Sequence, residues 1–372
     1  MPKSHFPIRP NVLDFEPYTA GMSIDEIQER YQLENIIKLA SNENPLGTSP
    51  LVRKRLADNA DLAFRYIQSG TPKLTKALAR FLAIDEDHII VGNGSDEIID
   101  LIIRTCPTPG VHNIVACRPS FSMYRLQAKL CDVAFRQVPL QKDFSFDWDG
   151  IYDAIDHNTA LVFLTTPDNP SGYCPTLAQM QAFIERLPAH CLLVVDEAYV
   201  EFCEDPACGS CLELFKQHTN IAILRTFSKI AGLAGIRLGY GILPKPLAKA
   251  IAAVKPPFSV NILAQEAGLA ILEDSTFIQE TYRVVQEGRR FLADSLQAMG
   301  CKVYPSQTNF LMFELPPSCS MDTRQVFEAL LARGIIIRPL ASYELPQCLR
   351  VTVGTEYENT TFIRQLHEVI CE

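Results

Sequence analysis

The chain has one tryptophan and only seven histidines among 372 residues. It has no run of about 18 consecutive apolar residues, which excludes a hydropathy-defined transmembrane helix. Its opening, Met1 to Pro10, lacks an apolar stretch of signal-peptide length, so a cytoplasmic location is the expectation. Basic residues form no tail and no run longer than three. There are 34 Lys and Arg against 43 Asp and Glu, for a net charge of −9, which excludes nucleic acid as the main partner. No internal repeat and no low-complexity tract is present.

Cysteine, by contrast, is plentiful, with twelve scattered mostly beside apolar runs, as Cys191 is before Leu192. That distribution reads as free, buried thiols in a reducing compartment. Cys203, Cys208 and Cys211 have a C-x4-C-x2-C spacing that iron–sulfur ferredoxins also use. A fourth ligand is not in reach along the chain. A surface loop rich in small residues is expected there, and no metal.

The length suggests two domains. Residues 1–45 read as an N-terminal arm with part of a small domain. It holds Pro2, Pro7, Pro10 and Pro17, a short helix near Ile24 to Gln32, and turn residues from Ser41 to Gly47. Residues 46–265 alternate β-rich and helical runs. Thr71 is expected to cap a helix with Pro72 in its first turn and Leu74, Ala77, Leu78, Phe81 and Leu82 on its apolar face. Strands are expected over His88 to Val91, Asn113 to Cys117, Ala160 to Thr165, Cys191 to Val195, Ile221 to Thr226 and Ile236 to Gly241. Several are apolar throughout, as strands buried on both faces are. The fold class is therefore α/β, with a mostly parallel sheet covered by helices. Residues 266–372, after the break at Pro256-Pro257 and a helix-rich stretch, read as a smaller α+β domain.

Four segments following buried strands carry candidate chemistry. In Thr226-Phe227-Ser228-Lys229, followed by Arg237, an amine lies between a hydroxyl and a guanidinium amid Gly and Ala. Such a set can clamp a phosphate while the amine does covalent work. Val195-Asp196-Glu197-Ala198-Tyr199 puts a carboxylate at the carboxyl edge of the sheet, where open α/β sheets bind ligands. Thr166-Pro167-Asp168-Asn169-Pro170-Ser171-Gly172 offers Asn169 as a donor within turn chemistry. Gly92-Asn93-Gly94-Ser95-Asp96-Glu97 opens a helix whose free amides suit a phosphate, but it lacks the last glycine of a dinucleotide fingerprint.

Together, in this order, these segments resemble the fold-type-I pyridoxal-phosphate (PLP) aminotransferases, from about Tyr18 to Thr355. Pro17-Tyr18, Leu39 to Gly47, Arg65-Tyr66, Asn93 to Glu97, Val195 to Tyr199, Leu224 to Lys229 and Leu349 to Gly354 are similar to the histidinol-phosphate aminotransferase branch. The resemblance implies a large domain with a mostly parallel seven-stranded sheet, a smaller α+β domain, and PLP as cofactor. It implies Lys229 as the Schiff-base and proton-shuttling lysine, Asp196 as partner of the pyridine nitrogen, and Asn169 and Tyr199 as contacts of the phenolic oxygen. Ser95, Asp96, Ser228 and Arg237 would form the phosphate cup, with Tyr66 contributed by the partner of a homodimer. Phe121 stands where the family stacks an aromatic ring, often Tyr, on the cofactor. Arg350 would bind carboxylate, with Arg338, Tyr18 and Asn42 also at the substrate.

The implied reaction is transamination of L-histidinol phosphate with 2-oxoglutarate, giving imidazole-acetol phosphate and glutamate in histidine biosynthesis. Guanidinium groups suit both the phosphate and the carboxylates of those ligands. The alternatives are an aromatic-amino-acid aminotransferase and a PLP-dependent decarboxylase of threonine phosphate. Two departures stand out. Ile67 and Gln68 follow Tyr66 where members carry Pro and an acidic residue, and Asp168 replaces the first Asn of Pro-Asn-Asn-Pro.

Overall fold

The computed structural model describes residues 8–13, 15 and 22–371. Its centre is a seven-stranded sheet of β1 (Ile89–Gly92), β2 (Asn113–Arg118), β3 (Ala134–Pro139), β4 (Thr159–Thr165), β5 (Leu192–Asp196), β6 (Ile221–Thr226) and β7 (Gly239–Ile242). The spatial order is β1-β7-β6-β5-β4-β2-β3. Strands β2 to β6 pair in parallel. Strand β7 alone runs against both of its neighbours. Apolar residues on both faces explain why the sheet is central. Along β5, Leu193 and Val195 enter one core and Val194 the other, all without exposure. Helix Leu177–Arg186 covers the first side through Met180, Phe183 and Ile184, and Ser95–Thr105 covers the second through Ile98 and Ile102.

Several local expectations are corrected. Strand β3 is absent from the sequence reading because it is an edge strand whose only buried side chain is Val138. The strand expected from Ile236 begins at Gly239, because Ala234–Ile236 makes a 3-10 turn and Arg237 adopts φ 59°. Pro72 does open helix Pro72–Leu82, with Leu74, Leu78 and Leu82 buried, but Phe81 is exposed. Thr71 does not cap this helix. At φ 49° its hydroxyl turns to the Gly70 carbonyl, 2.8 Å away.

The C-terminal unit holds an antiparallel sheet of β8 (Lys302–Val303), β9 (Phe310–Glu314), β10 (Arg338–Pro339) and β11 (Cys348–Thr352), in the order β10-β11-β9-β8. The stretch Ile335 to Pro339 is divided between two sheets. Ile335–Ile336 leaves this sheet and pairs in parallel with Ile37–Lys38, which ties the N-terminal segment to the C-terminal unit. Helix Ile262–Leu272 runs across the boundary drawn at 265/266 and packs on Pro50–Asp58 and Pro72–Leu82. No helix among the described residues is long and apolar enough to cross a membrane.

Candidate active site

The carboxyl ends of β1, β4, β5 and β6 converge on one cavity of about 160 Å³. Because β7 is reversed, its beginning reaches the same edge, and Arg237, two residues before it, joins the lining. This is the edge at which α/β sheets hold ligands.

One end of the cavity is built for an anion. Helix Ser95–Thr105 starts from Gly94 at φ 79° with no side-chain cap, so its first amides are left for another acceptor. A Cβ on Gly94 would stand 2.6 Å from Arg237 Nη2, and one on Gly239 would stand 2.4 Å from the Ser95 amide. Only glycine permits that approach. Arg237 bonds Asp96 at 3.2 Å, and Ser228 lines the same end. Uncapped amides, a hydroxyl and a guanidinium fit a phosphate group.

At the centre stand Lys229 and Asp196. Lys229 Nζ donates to the Ser41 carbonyl at 3.2 Å and lies 5.6 Å from the Tyr199 ring centroid. Burial first, and then the Arg350 charge, pull its pKa down to about 8, which makes the nucleophilic free amine accessible near neutrality. Burial pushes Asp196 up to about 6. Its Oδ1 accepts from the Ala198 amide at 3.2 Å, and its Oδ2 accepts from the Tyr124 hydroxyl at 2.7 Å. Phe121 offers a ring to the same cavity. The Tyr199 hydroxyl accepts from Asn42 Nδ2 at 2.9 Å, and Asn42 itself is buried at φ 55°.

Two arginines stand beside this centre. Arg338 on β10 is the register partner of Arg350 on β11, and both are at least nine-tenths buried. Arg350 Nη1 donates to Asn169 Oδ1 and Nη2 to the Ala40 carbonyl at 3.0 Å. Its Nε is buried without a protein partner. A buried guanidinium N–H with no acceptor among the described residues is costly unless a ligand supplies one. The arrangement therefore suits a ligand carrying a carboxylate or phosphate.

Among the described residues, the expected Asn42, Arg338, Arg350 and Tyr66 are not in the cavity's lining; Asn42 reaches it through Tyr199 and Arg350 through Asn169. Tyr66 is 83% exposed, packs in a tilted pair with Phe258 at 4.9 Å, and does not line its own chain's site. Tyr18 lies outside the described residues. The thiol segment is also not the plain surface loop expected. Cys211 is buried and its amide donates to Glu197 Oε1 at 2.5 Å, while Cys203 Sγ lies 3.9 Å from Cys174 Sγ. Among the described residues no group of three or more His, Cys, Asp or Glu is arranged to hold a metal.

Asp168, the departure noted above, is buried, and its Oδ2 accepts from the Ser171 hydroxyl at 2.6 Å and amide at 3.1 Å. Burial outweighs those bonds and raises its pKa to about 7. A raised carboxyl holds its proton better folded than unfolded. Its contribution is favourable below the unfolded pKa of about 3.9 and is lost as pH rises through about 7. Asp168→Asn keeps an acceptor and removes the charge. It is expected to match the parent near pH 4 and exceed its stability by up to about 4 kcal/mol above pH 7, read from urea midpoints.

Sequence reasoning assigned no role to Tyr124, Thr165 or Arg225. Arg225 Nε donates to Glu197 at 2.7 Å, Nη1 to Glu201 at 2.8 Å and Nη2 to Ser210 at 2.8 Å. Glu197 follows Asp196, and Arg225 precedes Lys229 by four positions, so this network ties together the strand ends that carry the amine and the carboxylate. Its one advance sign was an arginine inside the apolar run Ile221 to Thr226.

Residues 34–366 match the family model described as aminotransferase class I and II. The histidinol-phosphate aminotransferase of Oleidesulfovibrio alaskensis is 56% identical over 370 residues, covering 100% of this chain and 97% of the relative. That of Nitratidesulfovibrio vulgaris is 57% identical over 363 residues, covering 98% and 96%. Among solved structures, histidinol-phosphate aminotransferase from Sinorhizobium meliloti in complex with pyridoxal-5′-phosphate superposes with a TM-score of 0.89, at 25% identity over 99% of each chain. The cavity at the sheet edge and these full-length likenesses agree, and the chain belongs to the aminotransferase class I and II family, among the histidinol-phosphate aminotransferases.

Proposed function

We propose that the chain transfers the amino group of L-histidinol phosphate to 2-oxoglutarate, giving imidazole-acetol phosphate and L-glutamate. The observation that carries this reading is the buried Arg350, its Nε without a partner among the described residues, beside a depressed-pKa lysine. Pyridoxal 5′-phosphate, when bound, supplies an electron sink for the substrate's Cα–H electrons. Lys229 would hold the cofactor covalently, and its amine, when free, would take the Cα proton at Nζ. Asp196 partners the pyridine nitrogen, Tyr199 and Asn169 the phenolic oxygen, and Phe121 the ring face. Ser95, Asp96, Ser228 and Arg237 hold the phosphate. Arg350 and Arg338, with Asn42 and Tyr18, hold the anionic groups of the two substrates in turn. Tyr66 reaches the cofactor phosphate held by the partner subunit, which makes a homodimer the working unit; its exposure and its packing against Phe258 support that role. The enzyme works in the cytoplasm on small molecules.

The test is a single half-reaction. Cofactor-loaded protein is mixed with histidinol phosphate or phenylalanine, and the absorbance of the lysine-bound cofactor is followed. Bleaching at far lower histidinol phosphate concentration, reversed by 2-oxoglutarate, is the expected result. Equal response to phenylalanine, or release of carbon dioxide from threonine phosphate, would overturn the substrate assignment.

A further inference from the structure

Tyr124 lies on helix Met123–Leu130 and is fully buried. Its ring stacks on Phe163 at 4.5 Å and 18° and meets Phe121 edge-on at 5.7 Å. Packing alone would be met by phenylalanine. The hydroxyl is the informative atom. It donates to Asp196 Oδ2 at 2.7 Å and lies 2.8 Å from Thr165 Oγ1. A phenol has one proton. With that proton given to Asp196, the Thr165 hydroxyl is the donor to Tyr124. The result is a directed relay, Thr165 to Tyr124 to Asp196, running inside the protein from β4 to β5.

We propose that Tyr124 is a positioning residue for the transamination, setting the basicity of Asp196 and so how firmly that carboxylate leaves the proton on the cofactor's ring nitrogen. This rests on the reading of Asp196 as the nitrogen's partner. The physical reasoning is direct. A carboxylate oxygen that already accepts a hydrogen bond carries less density for a second proton, and the bond counts for more where water is excluded. The relay strengthens it, because a hydroxyl that is itself an acceptor becomes a better donor. Asp196 needs such support, since among the described residues the Ala198 amide is the one other donor to its carboxylate. Without the phenol, burial favours the neutral acid and the shared proton moves from the nitrogen toward the carboxyl. The ring then accepts electrons less readily.

The experiment loads four holoproteins with cofactor labelled with nitrogen-15 in the ring: the parent, Tyr124→Phe, Thr165→Val and Asp196→Asn. The ring-nitrogen shift is the readout, and a purely structural role would not move it. Asp196→Asn is expected to give the shift of an unprotonated pyridine. Tyr124→Phe should move partway toward it and Thr165→Val less far, with kcat for Tyr124→Phe falling about tenfold and KM little changed. A parent-like signal in Tyr124→Phe, with Asp196→Asn displaced, overturns the inference and leaves the Asp196 reading standing. A parent-like signal in Asp196→Asn overturns that reading and the inference with it. Should Tyr124→Phe fail to fold, Thr165→Val decides alone: a displaced signal supports the relay and an unmoved one overturns it.

Discussion

A Lys229→Ala chain is expected to lose about four orders of magnitude or more in single-turnover rate with histidinol phosphate. Proton transfer by one positioned group is worth about 10² to 10⁴. The same substitution also removes the covalent link, so the larger figure is the floor. The phosphate grip at Gly94, Ser95 and Arg237 does not involve this amine, so the variant should still take up cofactor, only removably. Mass spectrometry after reductive trapping checks this, with cofactor mass retained by the parent and absent from the variant. The loss will not come from unfolding. A lysine whose pKa is lowered to about 8 opposes folding wherever it must be charged, so below that pH the alanine chain should unfold no earlier than the parent. Turnover retained by the variant would remove Lys229 from the chemistry.

The largest expected stability effect lies just behind the cavity. Arg225→Met should cost about 3 to 5 kcal/mol, because it leaves the fully buried Glu197 carboxylate without its cation. Burial opposes a charge on Arg225, but Glu197 and then Glu201 outweigh it and hold its pKa up. Chemical denaturation of cofactor-free protein measures the loss. Combining Arg225→Met with Glu197→Leu should recover a good part of it, since removing both members of a buried pair is far less harmful than removing one. A double variant no more stable than Arg225→Met would mean that the network's value lies in Glu201 and Ser210 instead.

The candidate site was more legible in the sequence than its supports. Lys229, Asp196, Asn169 and Ser95 each follow an apolar run that could hardly be anything but a buried strand, and the edge at which parallel strands end is a general property of the fold. Arg237 was found through its distance from Lys229, although its strand was drawn three residues early, because a left-handed residue at a strand's threshold has no apolar signature. Tyr124 was invisible as a partner of Asp196. It lies 72 residues away along the chain, and only the folded arrangement that sets helix Met123–Leu130 over the ends of the paired strands β4 and β5 brings the two hydrogen-bonding groups together. Arg338 and Arg350 could be listed, but their side-by-side register depends on Ile335–Ile336 leaving the sheet that Arg338 joins. Edge strand β3, carrying Arg136 and Gln137, lacked the apolar content by which strands are recognised.

The reversal of β7 has a mechanical meaning. The backbone arrives on β6, presents the amine, presents the guanidinium, and departs on β7 beside the strand it came in on. Lys229 and Arg237 therefore lie on one connection between two paired strands of a single sheet. Arg350 belongs to another sheet altogether. Any rocking of the C-terminal unit would lengthen or shorten the reach from Arg350 to the amine, yet leave the separation between amine and Arg237 untouched. The two sheets meet at the Arg350–Asn169 hydrogen bond, so a shift of Arg350 would be felt first at Asn169 and not at Arg237.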